Sequence, residues 1–514
     1  MSNSEKIYQG LKRYWGYDEF RPKQEAIVQD ILAGRDVCVV MPTGGGKSLC
    51  YQLPAALQTD KTAIVVSPLI ALMQDQVAQL KEMGISAAVL NSSQTWSEQR
   101  RTEHYCEHGK YRLLYLSPER LAKKEMIQWL KKVPISFFVI DEAHCISEWG
   151  HEFRPDYREL KLLRKEFPEN PIAAFTASAT QRVRHDIIEQ LQLKEPGKYI
   201  ASFHRRNLNY QVLECDTATQ QQRLVSILKK YAGCPVIVYS PTIKQVGITV
   251  AKLAEEGITA IGYHAKLQAE ERHVNQERWM NDEVSVLVGT IAFGLGINKP
   301  NVRAVVHLGL PKSLEQYYQE AGRAGRDGES SDCMLLWRKQ DTALLAYFID
   351  QIEDGAEKSR AWQRYRDITG FASSFECRHK RICRHFGEAV KWEKCGACDV
   401  CLGTPRPPVA TTAPGGAARK RDRTRKKLSY VPGSRKPDNA LLQALKEWRR
   451  ERARQDQVPA FVIFHDSTLE AICFAKPTTR GELNRIAGIG EVKTAKFAEQ
   501  ILNVVRRHGA GQLN

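Results

Sequence analysis

The sequence predicts an α/β protein: two parallel-sheet lobes, then a helical module carrying a cysteine cluster, then a small all-α bundle. Three observations predict it. Short apolar runs rich in β-branched residues alternate with helix-length segments as far as residue 341. Five of the thirteen cysteines fall between 377 and 401, and helical periodicity resumes after a basic stretch that ends near 437. At 514 residues the chain is too long for one hydrophobic core, and about 150 residues per domain implies three or four domains.

The apolar runs are DVCVVM, TAIVVS, RLLYLS, SFFVID and IAAFTA, then CPVIVYS, ITAIGYH, VSVLVGT and RAVVHLG. Near-continuous apolar strands separated by helices imply parallel sheets covered on both faces. They divide into a first lobe over 1–206 and a second over 207–341. The cysteine-bearing module takes 342–403, a linker 404–437 and the helical bundle 438–514. The linker is rich in Pro, Gly, Ala and Thr, with ten Lys or Arg against one Asp, which predicts a disordered basic tether.

Hydrophobic residues at 42% and charged ones at 26% are ordinary for a chain that folds. No apolar run approaches a membrane span and the N-terminus carries no signal-peptide pattern, so a cytoplasmic protein without a membrane partner is expected, nucleoid-associated if bacterial. A formal charge of +17 favours a polyanionic partner, because each cation that neutralises a phosphate releases a condensed counterion. In a reducing compartment the cysteines stay unpaired, and the eight outside the cluster read as buried thiols.

In the first lobe, VCVVMPTGGGKSLCYQ places a Gly-rich turn between a strand and a helix. Backbone N–H groups of Thr43, Gly44, Gly45 and Gly46 can wrap a phosphate, Lys47 can reach the β- and γ-phosphates, and Ser48 can hold Mg²⁺. Met41 stands where the strict phosphate-loop pattern has its first Gly. About 95 residues on, FFVIDEAH is a strand ending in two carboxylates. Asp141 there can position Mg²⁺ and Glu142 can orient and deprotonate an attacking water. Upstream, GYDEFRPKQ offers Tyr17, Arg21 and Gln24, an aromatic face and an amide that can read adenine. In the second lobe, YYQEAGRAGRDG sets Arg323 and Arg326 three residues apart, on one face of an expected helix, able to meet phosphate charge across a cleft. The combination predicts an ATPase.

Taken together, GYDEFRPKQ, MPTGGGKSLCYQ, SPLIALMQDQ, DEAHCISEWGHEFRPDY, TASAT, GTIAFGLGINKPNVR and QEAGRAGRDG resemble the RecQ family of superfamily 2 DNA helicases, in order and approximate spacing. The resemblance implies two RecA-like lobes gripping ATP between them, Mg²⁺, and ATP-driven unwinding with 3′→5′ polarity in recombination, repair and replication. It makes Arg326 the arginine finger, with Gln319 and Arg323 in its network, and makes Trp149, His151, Phe153 and Arg154 an aromatic-rich loop that senses single-stranded DNA. Ser178 stands where many members have Thr and keeps the hydroxyl. Implied partners are single-stranded and partially duplex DNA, single-stranded-DNA-binding protein, and repair or topoisomerase proteins. An RNA helicase shares the ATP motifs but predicts neither the cysteine cluster nor the aromatic loop.

Cys395, Cys398 and Cys401 form C-x₂-C-x₂-C, and a fourth thiolate upstream completes a tetrahedral Zn²⁺ site, with an iron–sulfur cluster as the alternative chemistry. Both Cys377 and Cys383 are upstream. The resemblance selects Cys377, by its spacing to HFGE. Many members of the family follow this module with a winged-helix domain, for which the sequence leaves no room. The final segment resembles a helicase-and-RNase-D C-terminal bundle, in which Phe461, Arg449, Arg450, Lys493 and Lys496 could hold single-stranded DNA.

Overall fold

The structure is a computed structural model that describes residues 3–91, 94–150, 152–293, 299–404, 438–456, 458 and 460–509. His151 and the linker segment 405–437 lie outside the described residues. The first lobe holds β1 (Val37–Val40), β2 (Thr62–Val66), β3 (Ala87–Leu90), β4 (Leu113–Leu116), β5 (Ile135–Ile140), β6 (Ile172–Thr176) and β7 (Gly197–Ile200). They pair in the order β3-β4-β2-β5-β6-β1-β7, each pair parallel. The second lobe holds β8 (Leu208–Glu214), β9 (Val236–Tyr239), β10 (Ala260–Tyr263), β11 (Val286–Gly289), β12 (Ala304–His307) and β13 (Ser331–Trp337). Their order is β10-β11-β9-β12-β13-β8, again parallel throughout.

The central strands β1, β2 and β9 are buried along their whole length, and β5 from Phe137 on, as the apolar runs require of a sheet with helices on both faces. Separate apolar clusters form on the two sides of each sheet, since successive side chains point to opposite faces. In such sheets the loops beyond the carboxyl ends of the strands bind ligands. The phosphate loop follows β1, the two carboxylates follow β5 and TASAT begins in the last residue of β6, so all three stand at one edge of the first lobe.

Beyond the lobes, helices Gly355–Ser373 and Arg378–His385 carry the cysteine module, which is fastened to the second lobe. Arg378 forks onto Asp399 at 2.9 and 3.0 Å, both groups fully buried. Asp399 in turn accepts from Val212 N at 3.3 Å, and His379 Nε2 lies 2.9 Å from Leu208 O. The bundle is built on helices Asn439–Gln455, Asp466–Ala475 and Glu491–Gly509 around its own apolar core. No described helix is long and apolar enough to cross a membrane.

Candidate active site

A cavity of ≈ 470 Å³ lies between the lobes, lined by Tyr17, Arg21, Gln24, Lys47, Asp141 and Arg326 among others. Tyr17 is half exposed beside it, while Gln24 is buried and turned onto the phosphate loop. Gln24 Nε2 donates to the carbonyls of Gly45 and Gly46 at 3.3 and 3.2 Å, and Arg21 Nη1 donates to Gly44 O at 2.6 Å. The adenine motif and the phosphate loop are therefore one hydrogen-bonded unit. Gly46 sits at φ +82°, and a Cβ there would stand 2.4 Å from Gln24 Nε2, so only glycine allows this approach. Lys47 and Ser48 open the helix Lys47–Leu57, and Lys47 Nζ rests 3.3 Å from Met41 O.

Asp141 and Glu142 follow the last buried residue of β5. Burial and the adjacent Glu142 push Asp141 up to about 7, with Lys47 opposing. A carboxylate raised in this way sits where a cation would restore its charge, and with the Ser48 hydroxyl it makes a hard oxygen donor set suited to Mg²⁺. Glu142 adopts φ +47°, ψ +44°, a left-handed conformation that costs a non-glycine residue about 1–3 kcal/mol. In that conformation its Oε2 lies 3.3 Å from His144 Nδ1.

His144 was not among the sequence-derived site residues, yet it is the hub of the site. Its Nδ1 is also 2.9 Å from Thr176 Oγ1, and its Nε2 lies 3.8 Å from Glu152 Oε2, next to Phe153. Burial opposes a charged imidazole, but Cys145, Glu142 and Glu152 around the ring raise His144 well above its ordinary value. From Thr176 the chain of contacts continues. Its Oγ1 donates to Ser178 O at 3.2 Å, and Ser178 Oγ accepts from Gln319 Nε2 at 2.9 Å, across the cleft. Glu142, TASAT and the second lobe are thus linked by polar contacts.

The expected helix beneath the two arginines is corrected. The helix Leu314–Ala321 ends before them, and Arg323 and Arg326 lie in the turn that follows. The reason is Arg205, also missed in the sequence. Its guanidinium takes the carbonyls of Gly322, Ala324 and Gly325 at 3.4, 3.1 and 2.9 Å, holding them in a turn. It also donates to Thr43 O at 2.7 Å, so this junction residue ties the phosphate loop to the turn of the second lobe. Arg326 lies against that loop, so that a Cβ on Gly44 would meet Arg326 Cα at 3.4 Å. Burial, then the charges of Arg323 and Arg205, lower Arg326 to about 9. Three guanidinium groups crowded at a buried site favour an anion among them. The only sequence signal for Arg205 was its place in the basic junction HRRN, between the last strand of one lobe and the first of the next.

Of the aromatic loop, Trp149 is 40% exposed and Phe153 37%. The Arg182 guanidinium lies 3.0 Å from the centroid of the Trp149 ring and that of Arg360, from the cysteine module, 5.4 Å. Arg158 lies over Phe153 at 5.4 Å. Arg154 reaches Pro68 O at 3.4 Å, and its N–H donates to Cys145 O at 2.9 Å, tying the loop to the turn after Glu142.

Cys377, Cys395, Cys398 and Cys401 bring their Sγ atoms within 4.8 Å of one another. Cys377 and Cys398 are 4.0 Å apart, close to the ~3.8 Å edge of a tetrahedron with Zn–S of about 2.3 Å. Hydrogen bonds from Cys395 and Cys398 lower Cys377 to about 3, while Cys377 and Cys398 raise Cys395 far above its ordinary value. Four soft donors this close together suit Zn²⁺, which would take all four as thiolates. Cys383 is buried outside this group, raised by burial and Glu388.

Four family models match the chain. DEAD/DEAH box helicase matches residues 21–187, helicase conserved C-terminal domain 219–328, RecQ zinc-binding 339–402 and HRDC domain 438–505. The ATP-dependent DNA helicase RecQ of Pasteurella multocida is 32% identical, covering 97% of this chain and 93% of that one. The Bacillus subtilis protein of the same name is also 32% identical, over 97% and 98%. The alignment to the Pasteurella protein runs to 592 positions, longer than this chain, so that relative holds segments with no counterpart here. Among solved structures, the DNA-bound helicase MrfA aligns at 19% identity with a TM-score of 0.54, covering 68% of this chain and 54% of that one. Mss116p bound to single-stranded RNA and AMP-PNP aligns at 18% and 0.55, covering 73% and 80%. Both show the shared fold.

Proposed function

The chain belongs to the RecQ family of ATP-dependent DNA helicases, and from that premise we propose how its own residues carry out ATP-driven unwinding. Tyr17, Arg21 and Gln24 hold the base. The amides of Thr43, Gly44, Gly45 and Gly46, with Lys47, hold the phosphates. Ser48 and Asp141 would hold Mg²⁺, which would neutralise phosphate charge there. Glu142 orients and deprotonates water, and Arg326, with Arg323 and Gln319 beside it, meets the charge that develops on the γ-phosphate. The domain division is the one given above, with 1–206 and 207–341 as the two motor lobes, 342–403 as the zinc module and 438–514 as the bundle.

The single observation that carries the mechanism is the position of His144, between Glu142 and Glu152. A base stacking on Trp149 or Phe153 displaces the loop that holds Glu152, and the imidazole passes that displacement to Glu142 and Thr176. DNA occupancy is in this way converted into alignment of the hydrolytic carboxylate. The substrate is single-stranded DNA tracked 3′→5′ into a duplex, with single-stranded-DNA-binding, repair or topoisomerase proteins as partners in the cytoplasm. The test is ATP hydrolysis with single-stranded DNA, single-stranded RNA or no polymer. Stimulation by DNA and its loss in Arg326→Ala are expected, whereas stimulation by RNA alone overturns the assignment.

A further inference from the structure

The cations of the C-terminal bundle are committed to the fold. Arg449 is buried against Asp466 at 2.6 Å, Lys493 donates to the carbonyls of Val462 and Ile463 at 2.9 and 2.7 Å, and Lys496 pairs with Glu82 of the first lobe at 2.8 Å, so the side chains expected to meet DNA are turned inward. Donor chemistry that the coupling path leaves unused lies instead in the first lobe, at Cys145. This residue follows His144 in the turn Ala143–Ile146, and its side chain is fully buried. The path from Glu152 through His144 to Glu142 makes no use of the thiol. Cys145 Sγ nevertheless lies 3.8 Å from His144 Nε2, the nitrogen that also stands 3.8 Å from Glu152 Oε2. The three donor atoms lie within 4.8 Å of one another, the one other such group among the described residues besides the four cysteines.

An imidazole nitrogen, a thiolate and a carboxylate oxygen are ligands of tetrahedral zinc, with the fourth position left to water. With Zn–N of about 2.0 Å and Zn–S of about 2.3 Å, a tetrahedral ion sets its donors about 3.4–3.6 Å apart. The two separations measured from Nε2 therefore need close by only a few tenths of an ångström. The ring is already set as a ligand. Thr176 Oγ1 donates to Ser178 O and so accepts from His144 Nδ1 at 2.9 Å, with Glu142 Oε2 on the same nitrogen at 3.3 Å. Nδ1 thus carries the proton, and in the neutral ring Nε2 turns its lone pair towards Cys145 and Glu152. Zinc-binding histidines are oriented in this way by a carboxylate on their second nitrogen. Entry is open, because Glu152 lines the cleft cavity with Asp141 and Glu142 and its side chain is 32% exposed. Charge also balances. The imidazolium favoured by the surrounding acids, the thiol and the Glu152 carboxylate sum to zero. Zn²⁺ displaces the Nε2 proton and the thiol proton to solvent, and with thiolate and carboxylate it again sums to zero, which avoids the cost of burying an unbalanced charge.

We propose that His144, Cys145 and Glu152 form a second zinc site, separate from the four cysteines, whose occupation fixes Glu152 to the His144 ring and so blocks the DNA signal. The site stands on its donors alone, whereas the block rests on the reading of His144 as the link between the aromatic loop and Glu142. With the ion bound, two coordinate bonds set the separation of Glu152 from the ring. A base stacking on Trp149 or Phe153 then no longer moves the imidazole. Glu142 keeps its contact with Nδ1, so hydrolysis without DNA continues while stimulation is lost.

The test titrates the full-length chain, with zinc loaded at the four cysteines and no nucleotide, with Zn²⁺ alone. One further ion per chain, with a Kd of about 1 μM or tighter, is expected. Cys145→Ala and Glu152→Gln should each weaken it at least about tenfold, while metal analysis still finds the ion of the four cysteines. Retention of that ion shows that the chain has folded, and Glu152→Gln changes a partly exposed position. In the unaltered chain, with Mg²⁺ in excess, DNA-stimulated hydrolysis should fall about tenfold or more as the second ion binds, with the rate in the absence of DNA within about threefold. The two variants should keep, in the same Zn²⁺, whatever stimulation they have without it. A chain that takes up no second ion, or variants that bind it as tightly, overturn the proposal. So does inhibition that persists in both variants or that Mg²⁺ relieves, which would put the ion at Ser48 and Asp141. A second ion lost in both variants, yet without effect on stimulation of the unaltered chain, keeps the site and overturns the reading of His144 as the link.

Discussion

Replacing Arg205 by alanine removes one guanidinium and four carbonyl contacts, at 2.7, 2.9, 3.1 and 3.4 Å. Hydrogen bonds from a charged donor are worth about 1.5–3 kcal/mol each, and three of these are short. They do not add, because the freed carbonyls share one turn and recover some water, so a total of about 3–5 kcal/mol is expected. The shortest contact holds Thr43 in the phosphate loop, and the others reach the second lobe and shape the turn carrying Arg323 and Arg326. The loss therefore falls on the hydrolytic state more than on folding. DNA-stimulated kcat should drop at least about 100-fold in Arg205→Ala, the equivalent of about 2.7 kcal/mol. Arg205→Lys keeps the charge but has no fork to span loop and turn, and should recover only part of the loss. Steady-state hydrolysis at saturating ATP and DNA measures it, with thermal unfolding as a check on the fold. Turnover within about threefold of the unaltered chain, a difference of under 1 kcal/mol, would show that the two arginines are placed by something else.

Three further outcomes follow from the geometry. Cys377→Ser should lose bound zinc and destabilise the module against β8, whereas Cys383→Ser should keep its zinc. Metal analysis of the purified variants decides, and the reverse result exchanges the fourth ligand. Trp149→Ala and Phe153→Ala should leave DNA affinity within about threefold and lower stimulated hydrolysis by tenfold or more, about 1.4 kcal/mol, whereas equal losses of basal and stimulated rates would make the rings plain packing. His465 is held down to about 4 by burial and then by Lys493 and Arg449, with Asp466 opposing. A base whose folded value lies below its unfolded value of 6.5 contributes stability that is present above pH 6.5 and lost as pH falls towards 4. Thermal unfolding of the bundle should therefore move to lower temperature as pH falls from 6.5 to about 5. His465→Gln should flatten the profile, and an equally steep one in that variant removes His465 from the account.

What the sequence made legible and what it hid divide along a physical line. The strands at the centre of each sheet, such as VCVV and FFVI, are buried on both faces and therefore read as unbroken apolar runs. Four strands escaped reading, and two of them, β3 and β13, are buried along their whole length, so burial alone does not make a strand legible. The other two are weaker signals: β7 is an edge strand, GKYI, whose side chains alternate between half-buried and exposed, and β8 alternates in burial along LNYQV and passes for a junction. Motif residues that touch a ligand were legible because chemistry fixes both their type and their neighbours. Lys47 must follow a glycine turn, and Asp141 must end a buried strand. Arg205 and His144 serve other residues, and their partners lie far off in sequence, so that type and spacing carry no mark of them.

The aromatic loop shows why that hidden layer matters. The sequence sets two carboxylates and a pair of exposed aromatics within a dozen residues, which explains proximity but not transmission. Transmission needs a group that contacts both ends and has more than one arrangement. His144 contacts Glu142 and Thr176 through one nitrogen and approaches Glu152 through the other. A shift of Glu152 changes which of the first two partners the ring favours. Glu142, in a conformation that costs about 1–3 kcal/mol, is held there only while the surroundings over-determine it. Releasing that constraint needs no large motion, only loss of the His144 contact. His144→Ala should therefore uncouple the two ends with both intact: DNA bound at the loop, nucleotide bound at Lys47, and hydrolysis no longer responsive to DNA. A variant that hydrolyses ATP at the full stimulated rate would mean that the signal travels by the other ties between the loop and the acidic turn, the Arg154 N–H on the Cys145 carbonyl or the Tyr157 hydroxyl on the Asp141 carbonyl.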